Sequence, residues 1–223
     1  MSYAELTAVH KLWELTQGPM KAVTRFGNFP DYGQLLVEHQ ASLPITHSFV
    51  RAKLAPLMPG LDWDLIGRCC AVHDCGEPLT GGDEHIDNKT GDKDQREYEA
   101  VRQLLVHTGD LYRPAMMAFL LPFVRREKVL KMLSSDDTGL LSLLKTKYQR
   151  EAAVFALMEP TDYIMSALTG RERGIRNDRE FLYDHVIKRQ TPPLDALVAE
   201  YPVLSAVWSP DLKHMLWSQL IEP

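Results

Sequence analysis

Apolar residues recur along most of the chain at spacings of three and four, the period of a helix with one buried face. Leu6, Val9, Leu12, Trp13 and Leu15 predict a first helix over Tyr3–Gln17, closed by Gly18. Met20–Tyr32 has no such period, and a short helix is expected over Gln34–Gln40. Pro44 suits the first turn of the next helix, which runs to about Met58. Pro59-Gly60 then turns the chain into a return helix over Trp63–Cys75, with Asp62 as its N-cap. Further helices are predicted over Lys93–His107, Tyr112–Leu133 (strained or split at Pro114 and Pro122), Tyr148–Gly170, Arg179–Lys188, Leu194–Glu200 and Asp211–Ile221. Gly81–Asp92 reads as a polar loop, and Thr191-Pro192-Pro193 opens a C-terminal piece. There is no internal repeat, no low-complexity tract and no convincing strand. The pattern predicts an all-α protein: a helical bundle over residues 1–190, with a helical extension over 191–223 packed on it through Trp208, Leu212, Met215, Leu216 and Trp217.

Composition narrows the picture. At 223 residues, 45% hydrophobic and 25% charged, the chain has the make-up of an ordinary globular protein with a substantial core. A net charge of −5 gives no basic field of the kind that binds a nucleic acid polymer. The acid at Glu5 and the lack of an apolar run after it predict no signal peptide. Ala115–Val124, the longest apolar stretch, is too short to span a bilayer and reads as core or as a homodimer seam. Cys69, Cys70 and Cys75 lack zinc-type spacing and are expected as reduced, buried thiols in a cytoplasmic protein.

The chemistry concentrates in His73-Asp74-Cys75-Gly76-Glu77-Pro78-Leu79-Thr80-Gly81-Gly82-Asp83. Imidazole nitrogen with carboxylate oxygen suits a divalent metal such as Mn, Fe, Co or Zn. Adjacent residues on a helix point about 100° apart, so His73 and Asp74 reach one ion only where the helix frays, and Gly76-Glu77-Pro78 ends it there. His47 lies as far before the Pro59-Gly60 turn as His73 lies after it, which puts both at one level of an antiparallel pair. His47 is therefore the expected first ligand, with His39 as the alternative. Asp162 sits in a segment, Ala152–Leu168, whose only other charge is Glu159. A buried aspartate is costly unless paired or bound to a cation, so Asp162 is the expected distant ligand. Lys89, Lys93 and Arg96 are candidate phosphate contacts.

Four places carry a resemblance: His47-Ser48-Phe49-Val50-Arg51-Ala52, the central His73–Gly81 motif, Thr161-Asp162-Tyr163-Ile164-Met165-Ser166-Ala167, and Asn177-Asp178-Arg179-Glu180-Phe181. Together, and with Glu97-Tyr98 opening a helix after the loop, they resemble the HD-domain metal-dependent phosphohydrolases. The likeness is greatest to the bacterial HD-domain 5′-deoxynucleotidases, over roughly residues 20–190. The resemblance implies one divalent metal on His47, His73, Asp74 and Asp162. It also implies that Glu77 and Asp83 act on the attacking water and the leaving oxygen, that Arg25 contacts the substrate, and that the protein is a homodimer. The family's spacing from its arginine to its first histidine matches that from Arg25 to Glu38-His39, which favours His39. The extra residue in Gly81-Gly82 departs from the family pattern at Asp83.

A metal on such ligands lowers the pKa of bound water and offsets phosphoryl charge, and Glu77 stands about one turn past His73, placed to orient or deprotonate the water. The expected activity is hydrolysis of a (deoxy)nucleoside 5′-monophosphate. The alternatives are release of tri- or pyrophosphate from a nucleoside triphosphate, a silent nucleotide-binding scaffold, and a two-metal site that draws on His85 and His107.

Overall fold

A computed structural model of the chain describes residues 10, 14, 20, 24–25, 34–81, 92–126, 130–172 and 188–221. Two paired helices form its frame: α1 (Leu36–Leu54) and the antiparallel α2 (Trp63–Val72). α1 joins the two helices expected on either side of Pro44 into one. Proline removes a single N–H from the ladder, and Pro44 lies on the exposed face while Leu43, Val50 and Leu54 are buried. Burial of that apolar face outweighs the lost hydrogen bond. Asp62 caps α2 as its type predicts, its side chain accepting from Leu65 N at 2.8 Å.

Ahead of α1, β1 (Thr24–Arg25) and β2 (Gln34–Leu35) make a two-residue antiparallel ribbon, with Arg25 opposite Gln34; β1 falls where the sequence reads as irregular, and β2 takes the first two residues of the helix expected over Gln34–Gln40. After α2, a 3-10 turn over Glu77–Leu79 leads toward α3 (Lys93–Leu105). The Tyr112–Leu133 region is shorter than expected: α4 (Tyr112–Leu120) ends in a 3-10 segment, Leu121–Val124, with Pro122 in its first turn. α5 (Ser135–Lys147) falls where no helix is expected, and α6 (Gln149–Glu172) carries Pro160 inside it. α7 (Lys188–Glu200) runs across the expected boundary at residue 190, and a 3-10 turn over Pro202–Ala206 leads to α8 (Pro210–Ile221). The fold is all-α apart from the short ribbon. The helix expected over Tyr3–Gln17 lies largely outside the described residues, and that over Arg179–Lys188 almost wholly so.

The core forms where α2 meets α1, α4 and α6. Leu65, Ile66, Cys69 and Cys70 of α2 are fully buried with Phe119 of α4 and Phe155 of α6. Each large apolar side chain so buried contributes about 1.5–3 kcal/mol. The Ala115–Val124 stretch belongs to this core: Met116, Phe119, Leu120, Leu121 and Phe123 are all buried. The C-terminal helices join it through Leu194, Leu197, Leu204, Trp208 and Leu216, and α7 packs on α6. The three cysteines are free thiols, buried as expected. Among the described residues no helix is long and apolar enough to cross a membrane.

Candidate metal centre

α2 ends at Val72, and His73 is its C-cap, so His73 and Asp74 leave the helix as the break after them predicts. Leaving the helix lets both face one point. His73 Nε2 lies 3.0 Å from Asp74 Oδ2. The second histidine at that point is His39, in the first turn of α1, whose Nε2 lies 3.5 Å from the same oxygen. His39 is completely buried, its ring edge-on to His73 at 5.5 Å between centroids.

His47, the expected first ligand, stands elsewhere. Its Nε2 lies 3.2 Å from the Trp63 carbonyl oxygen, and its ring faces Gly67, where an added Cβ would meet Cε1 at 3.4 Å. The chain turns earlier than Pro59-Gly60. The chain stays wound beyond Leu54, with Met58 N donating to Leu54 O at 2.8 Å, and the stretch through Asp62 then crosses to α2. The pivot therefore precedes Pro59-Gly60, and His47 is level with residues 63–67. Eight residues back along α1 is His39, and eight onward along α2 is the His73–Asp74 pair. Helix pairing does select the first histidine, but it selects His39.

Both imidazoles are oriented through their other nitrogen. His39 Nδ1 is 2.8 Å from Asp162 Oδ2, and His73 Nδ1 is 3.2 Å from the Cys69 carbonyl oxygen. In the tautomer with the proton on Nδ1, each Nδ1 donates to its oxygen and Nε2 has its lone pair forward. Asp162 is itself held, its Oδ2 accepting from Ser42 Oγ at 2.9 Å and its Oδ1 from Thr46 Oγ1 at 3.1 Å. The expectation for Asp162 is thus modified: it is buried in the site, but its carboxylate backs His39 instead of standing among the clustered donors.

His39, His73 and Asp74 each offer one donor atom, all within 4.8 Å of one another. Bonds of about 2.0–2.2 Å at tetrahedral or octahedral angles separate neighbouring donors by about 3.0–3.5 Å. The separations of 3.0 and 3.5 Å match that range. Two neutral imidazoles and a carboxylate fit a divalent transition metal. The cluster can hold a metal ion.

A cavity of about 60 Å³ opens on the cluster, room for about two waters. Among the described residues its wall carries Asp74, Glu77, Asp94, Glu97 and Glu159 against a single guanidinium, Arg126. An anion enters a site so lined only if a cation is there as well. Glu77 is buried, and Lys93, the first residue of α3, has its Nζ 3.4 Å from Glu77 Oε1 and 3.3 Å from Glu97 Oε1. Lys93 is itself buried. Gly76 makes this approach possible: a Cβ there would come within 2.7 Å of Glu97 Cβ.

No family model, curated protein or solved structure matches the chain. Of those expected at the site, His73, Asp74 and Glu77 are together, Asp162 stands behind His39, and His47 is away. Arg25 lies on β1, whose partner β2 leads straight into the first turn of α1. Asp83, Lys89 and His85 lie outside the described residues, and His107 is exposed beyond the end of α3. In sequence Lys93 stands beside Lys89 and Arg96 as a candidate phosphate contact, whereas in the structure it is buried against Glu77 and Glu97. Its i, i+4 relation to Glu97, on a helix that also buries Tyr98 and Val101, was the available signal. Glu159 shares with Asp162 the signal of a charge in an apolar segment, whereas Arg126 and Asp94 carry none, because only the fold brings their segments to one cavity.

Proposed function

We propose that this chain is a metal-dependent phosphohydrolase of the HD-domain type, acting on (deoxy)nucleoside 5′-monophosphates. The observation that carries the reading is the convergence of His39 Nε2 and His73 Nε2 on one oxygen of Asp74, with each Nδ1 held by a separate oxygen acceptor. In the Nδ1-protonated tautomers both Nε2 lone pairs meet at that carboxylate oxygen, an arrangement that a cation between the three donors satisfies. The ion fitting these donors is Mn, Co, Fe or Zn, and when bound it supplies a water of lowered pKa and offsets phosphoryl charge.

The chain's own residues supply the rest. Glu77 faces the cavity and takes the proton from the attacking water, a role typically worth about 10²–10⁴-fold. Lys93 holds Glu77 in place from behind. Arg126, which lines the cavity, donates to a phosphoryl oxygen. Its Nη1 is 3.2 Å from Asp94 Oδ1, which fixes its approach.

Phosphate release from ribo- and deoxynucleoside mono- and triphosphates tests the reading, with Mn, Co, Mg or a chelator, on wild type, His39→Ala and His47→Ala. Turnover of monophosphates that is abolished by chelator and by His39→Ala, and retained in His47→Ala, is expected. Activity indifferent to chelator, or lost only in His47→Ala, overturns the reading. Tripolyphosphate or pyrophosphate from triphosphates alone would move the cleavage point and keep the site.

A further inference from the structure

The 60 Å³ cavity at the metal centre has no room for a nucleoside, yet it is not closed. Pro122, Arg126 and Glu159 line it and also line a second, larger cavity of about 350 Å³. That cavity is a groove between α6, α7 and the end of the Leu121–Val124 segment. Phe155, Ala156 and Pro160 of α6 form one wall, and Pro193, Ala196 and Leu197 of α7 the other. Beyond them, Arg125 and Glu200 form a two-point ion pair, with Nη1 3.1 Å from Oε1, and both line the same groove.

We infer that this groove receives the nucleoside part of the substrate and that α7, from the C-terminal piece, is a wall of the specificity pocket. The inference rests on the nucleotide reading above. Three observations favour this occupant. The volume falls within the 300–1,000 Å³ usual for pockets that bury an organic ligand. The walls are mainly apolar, as the faces of a base and a sugar require. At the junction Glu159 is half-buried, and among the described residues it makes no hydrogen bond or ion pair. A carboxylate held there has acceptor capacity for sugar hydroxyls or a base amine. The order of groups from one adjoining cavity to the other is that of a phosphoester: metal donors, then Arg126 and Glu159, then the apolar groove.

The test separates binding from hydrolysis. Ligand-observed NMR in EDTA would measure binding of adenosine, deoxyadenosine, thymidine and cytidine to the full chain. The variants are Ala196→Trp, at an exposed α7 position where the indole fills the groove, and the near-isosteric Glu159→Gln. Phosphate release from the matching monophosphates in Mn is read alongside. At least one nucleoside should bind wild type, at least tenfold more weakly to Ala196→Trp and severalfold more weakly to Glu159→Gln. KM for its monophosphate should rise at least tenfold in Ala196→Trp, with kcat changed less than twofold. No nucleoside binding to wild type, or equal binding and equal KM in wild type and Ala196→Trp, overturns the inference even if monophosphates are hydrolysed. Nucleoside binding lost in Ala196→Trp, with no phosphate released from any monophosphate, sinks the proposed activity and supports the groove.

Discussion

The carboxylate of Asp162 lies 2.8 Å from His39 Nδ1, joining the middle of α6 to the first turn of α1. It ties together two segments 123 residues apart in sequence. Ser42 and Thr46, one and two turns beyond His39 on the same helix, donate to its two oxygens, so the acceptor is fixed before it fixes the imidazole. Asp162→Asn halves the acceptor capacity and puts an amide against donors. Outer partners of this kind typically cost 10–100-fold in metal affinity when removed. A loss of about that size is expected by competition with a metallochromic chelator, with helix content by circular dichroism unchanged. Wild-type affinity in the variant would mean that Asp162 does not orient His39.

The cysteines beside the centre are inert by the same packing that shapes it. Burial pushes the Cys70 and Cys75 thiols up to about 12, and raises Cys69 well above its ordinary value. The thiolate is the reactive form, so at pH 8 all three should resist a disulfide reagent in the native protein. Three thiols should react promptly in denaturant. Rapid native labelling would show that the α2 face is not packed as described.

His47 offers a pH test independent of metal. Burial, the largest influence, holds its pKa below the ordinary 6.5, aided by Arg51 and opposed by the hydrogen bond to the Trp63 carbonyl. The unfolded chain therefore protonates this imidazole first as pH falls. Its contribution to stability is present above about pH 6.5 and is lost as pH drops through the lower folded value. Urea midpoints from pH 7.5 to 5 in EDTA should fall less steeply for His47→Gln than for wild type. Parallel slopes would contradict the assignment.

The parts of this protein legible in sequence are those fixed locally. The return helix after Asp62, the break after Asp74 and the reach of Glu77 all follow from neighbours within a few residues. The continuous α1 was obscured because Pro44 is a strong local breaker, and its cost of about 3 kcal/mol is overridden by buried residues on the opposite face. Helix α5 was missed although Ser134 caps it, accepting from Asp137 N at 3.2 Å, with Leu140, Leu141 and Leu144 inward. Its anchor is non-local: buried Asp137 accepts from Tyr98 and Tyr112 hydroxyls, both at 2.8 Å, from two other helices. The choice between His39 and His47 turned on where an eight-residue connection pivots, which depends on hydrogen bonds past Leu54 that composition does not announce. Helical period alone could not locate it.

Lys93 stands between two buried glutamates, with Nζ 3.4 Å from Glu77 and 3.3 Å from Glu97. Removing one member of a buried charged set leaves the others uncompensated, at a typical cost of about 3–5 kcal/mol. Lys93→Met should therefore lower stability by about 3 kcal/mol in urea melts. If its work is to position Glu77, kcat should fall about tenfold or more while KM and metal content stay near wild type. Lys93→Arg retains the charge in a bulkier head and should recover most of the stability, with only part of kcat. A purely structural lysine would give a different pattern, in which both variants change stability but kcat per folded molecule is the same. A loss of metal in Lys93→Met would point instead to Asp74, three residues before Glu77, as the group it steadies.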